Sequence, residues 1–240
     1  MNNEQFTAVV PAAGVGSRMA ADKPKQYLEL AGYTVLESTL LRLISHNNIN
    51  KIVLVISPED DYLQELPISK ASWLQVVMGG KERSDSVLNG LQACDDNWVL
   101  VHDAARPCVR HDDISALLAL AGTGSGGILA KQATDTIKLA QKSNQNACKI
   151  VDRSISREHI WQALTPQLFP RKELIAALQW CVQKNIAVTD EASAIEQTGG
   201  TVQLVAGAHD NIKITHPGDL ALAQFFLEQQ QINNTGGICE

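Results

Sequence analysis

Apolar runs at 6–10, 51–56, 73–78, 98–102 and 127–131 recur along the chain. Each is short and nearly continuous, the pattern of a strand buried on both faces. Segments of helical period lie between them, at 35–46, 59–65, 83–94 and 112–121. Thr34 followed by Glu37 forms a capping box that predicts where the first helix starts. Ser57-Pro58 puts proline at the first position of the second. Strands of this kind separated by helices predict an α/β fold. The expected form is a Rossmann-like three-layer sandwich with a mostly parallel central sheet. Helical period returns at 170–184, 190–198 and 217–230, with a strand predicted over 201–205.

The segment 134–156 breaks this rhythm. Thr134–Leu139 and Ala147–Val151 read as two strands around the polar turn Lys142-Ser143-Asn144-Gln145-Asn146. Such a polar hairpin is either surface decoration or a protruding β-arm that packs on another subunit. The expected organisation is one domain over 1–232, with 134–156 as the arm and 233–240 as a loose tail.

Composition narrows the function classes. The chain has 240 residues, 45% hydrophobic content and a formal net charge of −6. Nothing marks the whole molecule as a nucleic-acid or membrane binder. An acidic chain that holds anions must gather its cations locally. The five cysteines, 94, 108, 148, 181 and 239, are scattered, with no C-x-x-C pair. That predicts neither a disulfide nor a zinc framework, and it points to the cytoplasm. No signal-like N-terminal segment and no apolar run of membrane-spanning length occurs.

The chemistry gathers in loops that follow predicted strands. Pro11-Ala12-Ala13-Gly14-Val15-Gly16-Ser17-Arg18-Met19 comes directly after the first, with Lys23-Pro24-Lys25-Gln26 just beyond. A small glycine turn at a strand end brings backbone N–H groups near a phosphate, and Arg18 and Lys25 add positive charge. Met19 stands where a dinucleotide fingerprint needs its third glycine, and the P-loop pattern fails in the same window. Gly79-Gly80-Lys81-Glu82-Arg83-Ser84-Asp85-Ser86 is a second glycine turn that feeds a helix. Its N–H groups and the Ser84 and Ser86 hydroxyls can bond a base edge or a phosphate, or the serines cap their own helix, the better reading for Ser84.

His102-Asp103-Ala104-Ala105-Arg106-Pro107 ends the fourth strand. Asp103 suits Mg²⁺ beside phosphates, and Arg106 offers a planar fork for a second phosphate. An Asp103–Arg106 ion pair that closes the loop is the plain alternative. Thr165 precedes a proline, and Thr189 reads as a helix N-cap. Asp190 and Glu191 fall in the first turn, where the helix dipole favours them. Lys213 sits in a predicted short strand between Ile212 and Ile214, on the opposite face from both.

PAAGVGSRM…KPKQYL, GGKERSDSV, VHDAARP, ALTPQ, TDEASAIE and DNIKIT run in order over almost the whole chain. Together they resemble the 2-C-methyl-D-erythritol 4-phosphate cytidylyltransferases of non-mevalonate isoprenoid biosynthesis. That resemblance implies a transferase using CTP, a polyol phosphate and Mg²⁺, with a CDP-alcohol and pyrophosphate as products. It implies that Arg18 and Lys25 stabilise the transition state and that Lys213 orients the attacking phosphate. Ala12, Ala13, Gly14, Gly16, Gly80, Lys81, Ser86, Asp103 and Ala104 would surround CTP. Lys81 replaces the acidic residue expected there, so its backbone counts for more than its side chain. Asp103 would help hold the metal. Asp103, Arg106, Thr165, Thr189 and Lys213 would form the polyol-phosphate pocket.

The resemblance also implies a homodimer, in which the arm delivers Thr136 and an arginine to the partner's site. Spacing from Trp161 selects Arg157 as that arginine, while the Asp152-Arg153 context offers Arg153. A ribitol-phosphate cytidylyltransferase shares the glycine loop and the His-Asp-Ala-Ala-Arg-Pro segment and is the nearest rival. Sugar-1-phosphate nucleotidylyltransferases, a dinucleotide-dependent oxidoreductase and a catalytically inactive nucleotide binder fit less well.

Overall fold

A computed structural model describes residues 4–14, 23–142 and 149–235 of the chain. Its centre is a seven-stranded sheet of β1 (Phe6–Pro11), β4 (Ile49–Ile56), β5 (Leu74–Met78), β6 (Trp98–Val101), β7 (Gly127–Gln132), β10 (Trp161–Pro170) and β11 (Gln203–Ala206). Their order across the sheet is β11-β7-β10-β6-β1-β4-β5. Every adjacent pair is parallel except the two made by β10, which runs against both β6 and β7.

Strand period places alternate side chains on opposite faces, and each face has its own core. On one side Ala8, Val10, Ile52, Leu54 and Leu100 meet Leu36, Leu40 and Leu43 of α1 (Val35–Ile44) and Ile114 and Leu117 of α3 (His111–Leu118). On the other, Val9, Val53, Val55, Val99 and Val101 meet α2 (Arg83–Gln92), α4 (Arg171–Gln183) and α5 (Glu191–Gln197). These are the three expected layers. Burying one such Leu or Val contributes about 1.5–3 kcal/mol, so neither face can be left open.

Gly90 lets α2 lie close to the sheet. A Cβ there would meet Val9 Cγ1 at 2.6 Å and Val55 Cγ2 at 2.8 Å. The helix α6 (Pro217–Thr235) buries Ala223 and Leu227 in a third cluster with Leu30, Val35, Ala105, Cys108 and Ile214. That cluster fastens the segment carrying Lys213 to the loop after β6.

Several expectations change. The predicted helix at 59–65 holds only a 3₁₀ turn, Leu63–Glu65, with another beyond it at Pro67–Lys70, and none starts at Ser57-Pro58. Asp60 Oδ1 accepts from Tyr62 N and Leu63 N, a local turn that competes with an α-helical start. The apolar pattern predicts no strand at β10, where polar Thr165 and Gln167 flank Pro166 and the register shifts between Ala163 and Gln167; the Thr165-Pro166 peptide is cis. A two-residue hairpin, β2 (Glu29–Leu30) with β3 (Tyr33–Thr34), precedes α1, and Thr34 caps α1 in the expected box. The hairpin of the 134–156 segment pairs β8 (Ile137–Ala140) with β9 (Val151–Ile155), so its second strand falls later than predicted. α6 continues to Thr235, past the expected start of the tail. Residues 211–215 form no regular element, so Lys213 does not stand in a strand.

Candidate active site

Two adjoining cavities open beyond the carboxyl ends of β1 and β6, where α/β sheets place their ligands. The first, about 230 Å³, is lined by Ala12, Ala13 and Gly14 after β1, by Lys25, and by Gly80, Lys81 and Ser86. Asp103, Ala104 and Lys213 complete it. The second, about 270 Å³, is lined by Arg106, Thr165 and Thr189. Asp103, Lys213 and Arg83 belong to the walls of both. Among the described residues, Ala12, Ala13, Gly14, Gly80, Lys81, Ser86 and Ala104 line the first alone, and Arg106, Thr165 and Thr189 the second alone. Gly16 and Arg18 lie outside the described residues.

Local structure explains each placement. Lys25 opens a 3₁₀ turn whose next residues, Gln26 and Tyr27, are buried. Gln26 Nε2 donates to the carbonyls of Ala12, at 2.8 Å, and Gly14, at 3.3 Å, which ties this turn to the loop after β1. Tyr27 stacks on Tyr62 and donates to Asp60 Oδ2 at 2.7 Å. Lys25 Nζ then reaches the Ile214 carbonyl at 2.8 Å.

In the second glycine turn, Glu82 caps α2 through a box with Asp85, so neither Ser84 nor Ser86 is the cap. Ser86 instead accepts from Gly80 N at 3.1 Å and donates to the Glu82 carbonyl at 3.2 Å. Its buried hydroxyl shapes the turn. A Cβ on Gly80 would collide with Asp85, so glycine is required there.

Asp103 is the electrostatic centre. Its Oδ2 lies 2.9 Å from Lys213 Nζ and 3.3 Å from Arg106 Nε, and its Oδ1 lies 3.4 Å from Arg83 Nη2. Burial alone would raise its pKa. Lys213, Arg83 and Arg106 outweigh that and hold the carboxyl far below the usual carboxylate range. The expected Asp103–Arg106 pair is thus one contact of a larger cluster.

Behind this cluster runs a buried chain with a fixed direction. The Arg106 carbonyl can only accept, so His102 Nε2 carries the proton of their 3.0 Å hydrogen bond. Nδ1 must then accept from the Thr165 hydroxyl, also at 3.0 Å. The Thr165 oxygen in turn accepts from Asp103 N at 3.0 Å. Burial lowers the His102 pKa to about 4, keeping the ring neutral.

Thr189 is not the helix cap. Asp190 takes that role, accepting from Ser193 N, which leaves the exposed Thr189 facing the second cavity. Among the described residues, no group of three or more His, Cys, Asp or Glu could hold a metal ion alone. Thr136 and Arg157 line neither cavity. Both are exposed near the base of the hairpin, where Arg157 Nη1 donates to the Thr134 carbonyl. Arg153 pairs with its neighbour Asp152.

Sequence reasoning assigned no role to Arg83, Gln26, His102 or Asn211. Asn211 donates to the Thr165 carbonyl at 2.9 Å and accepts from Arg106 Nη1 through its own. Glu191, expected as a dipole partner, is buried and binds Arg83. Arg83 and Gln26 both sit inside the motif blocks, and that proximity was the available signal.

Comparison with known proteins finds relatives over nearly the whole chain. Residues 6–229 match the family model described as 2-C-methyl-D-erythritol 4-phosphate cytidylyltransferase. A curated protein of that name from Tolumonas auensis is 49% identical over 230 residues, covering 95% of this chain and 99% of that one. Another from Photobacterium profundum is 51% identical over 229 residues, covering 94% and 97%. The crystal structure of the Francisella tularensis protein of that name superposes with a TM-score of 0.78 at 36% identity, over 93% of this chain and all of that one. The Thermus thermophilus structure gives 0.76 at 28% identity, over 92% and 98%. The chain belongs to the 2-C-methyl-D-erythritol 4-phosphate cytidylyltransferase family.

Proposed function

We propose that the protein transfers a cytidylyl group from CTP to 2-C-methyl-D-erythritol 4-phosphate, in isoprenoid precursor biosynthesis. A phosphate oxygen of the polyol attacks the α-phosphorus of CTP, the bond to the β-phosphate oxygen breaks, and pyrophosphate leaves. The observation that carries this reading is the pair of cavities sharing Arg83, Asp103 and Lys213 as a common wall. Two anions can approach there with cations between them, and such transfer rests mainly on positioning and charge stabilisation.

The loop after β1 and the Gly80 turn cradle the nucleotide, and Lys25 faces its phosphates. Arg18, by family analogy, joins Lys25 at the reacting phosphorus. Lys213 and Arg106 hold the polyol phosphate. Thr165 has committed its proton to His102, so a lone pair remains to accept from a substrate hydroxyl. Thr189 offers a further hydroxyl. Mg²⁺ would be held by the Asp103 carboxylate together with phosphate oxygens of CTP, and it would neutralise charge on the triphosphate.

A second copy of the chain completes the site. The hairpin exposes Leu139, Ile150 and Val151, an apolar strip suited to a partner. Thr136 and Arg157 would enter the partner's second cavity. The contact of Arg157 with Thr134, two residues from Thr136, favours it over Arg153. The protein works in the cytoplasm, a reading supported by the buried, unpaired thiols of Cys94, Cys108 and Cys181.

Pyrophosphate release measured with each nucleoside triphosphate against a panel of polyol phosphates tests the assignment. Release is expected with CTP and methylerythritol phosphate in the presence of Mg²⁺. Release only with ribitol phosphate would move the protein to the sister activity.

A further inference from the structure

Glu191 is the first residue of α5 and Arg83 the first of α2. These two helix starts meet above the sheet. The Arg83 guanidinium grips Glu191 with both terminal nitrogens, Nη1 to Oε1 at 2.6 Å and Nη2 to Oε2 at 3.2 Å. Glu191 is 1% exposed and lines neither cavity. Its grip fixes the plane of Arg83, and Nη2 then also reaches Asp103 Oδ1 at 3.4 Å.

The two oxygens of Asp103 are consequently held from opposite sides. Arg83 takes Oδ1, while Lys213 and Arg106 take Oδ2. A carboxylate held on one oxygen alone could turn about its last side-chain bond. Held on both, it presents one orientation to both cavities. Stability alone does not account for the pair, because a buried ion pair is often no more stable than an apolar replacement of similar volume. Breaking it from one side leaves a buried charge uncompensated.

We propose that Glu191 and Arg83 form a positioning pair, in which Glu191 acts through Arg83 to hold the Asp103 carboxylate between the nucleotide and polyol chambers. The inference rests on the cytidylyl-transfer reading of the same site. Arg83 touches the chambers, whereas Glu191 affects the reaction only through it.

The test compares wild type, Arg83→Met, Glu191→Gln and the double variant Arg83→Met/Glu191→Gln in the full chain. Thermal stability, steady-state kinetics with CTP and methylerythritol phosphate, and CTP affinity by calorimetry are measured for each. Arg83→Met leaves Glu191 buried and uncompensated, so it loses both stability and turnover. The double variant removes both charges and recovers stability. Its kcat stays down by about 100-fold or more, a loss that a merely structural pair would not leave behind. Its CTP affinity falls by about threefold or more. Glu191→Gln lowers kcat by about tenfold while adding no further loss in the Arg83→Met background, since it acts through Arg83.

Recovery of kcat together with stability in the double variant would overturn the proposal. Absence of wild-type turnover would instead sink the reaction assignment. The calorimetry then decides the pair by itself, and equal CTP affinity in all four chains would overturn it.

Discussion

Lys213 Nζ lies 2.9 Å from Asp103 Oδ2, joining the segment before the C-terminal helix to the loop after β6. The Lys213 side chain is 40% exposed while Asp103 is buried, so the lysine bridges solvent and an inner carboxylate. A partly exposed ion pair contributes about 1 kcal/mol or less to stability. A cation placed at a reacting phosphate contributes on the order of 3 kcal/mol to the transition state. Lys213→Met is therefore expected to lower kcat/KM for the polyol phosphate by about 100-fold, with a small change in unfolding free energy. Steady-state kinetics beside urea titration separate the two effects.

His102 predicts how stability depends on pH. Its folded pKa is about 4, below the ordinary 6.5. The unfolded chain therefore takes up a proton first as pH falls. The stability that the neutral ring supports is fully present above pH 6.5, declines below it, and levels off once the folded ring protonates near pH 4. The loss across that window is about 3 kcal/mol. Urea unfolding at pH 7 and pH 5 checks the sign. His102→Gln, compared with wild type, should flatten that part of the profile.

Gly90 gives a prediction against helix propensity. In an exposed helix, Gly→Ala stabilises by about 1 kcal/mol. Here the added Cβ would press into Val9 and Val55. Gly90→Ala is expected to destabilise by about 1–3 kcal/mol, read as a lower urea midpoint with an unchanged slope.

The arm is tested through its two arginines. Arg157→Ala should raise KM for methylerythritol phosphate by about tenfold or more and leave CTP affinity nearly unchanged. Arg153→Ala should behave like wild type. The opposite pattern would assign the arm residue to Arg153.

Much of the layered fold was legible because β4 and β6 are buried on both faces, which leaves Ile52–Ile56 and Val99–Val101 as unbroken apolar runs. β10 was hidden because Thr165 and Gln167 carry polar groups whose partners, His102 and Asp190, lie far away in sequence. The turn at 57–62 misled because Asp60 binds nearby backbone N–H groups, a choice helical periodicity does not register. The residues that line the two cavities lie within the motif blocks. The Arg83–Glu191 contact was not legible, since only the fold brings together residues 108 positions apart.

The most direct measurement offers CTP and Mg²⁺ with methylerythritol phosphate and ribitol phosphate in one mixture, followed by phosphorus NMR. The account predicts one CDP-alcohol, formed from methylerythritol phosphate, rising in step with one equivalent of pyrophosphate. A CDP-ribitol product, or no diphosphate product at all, would contradict it.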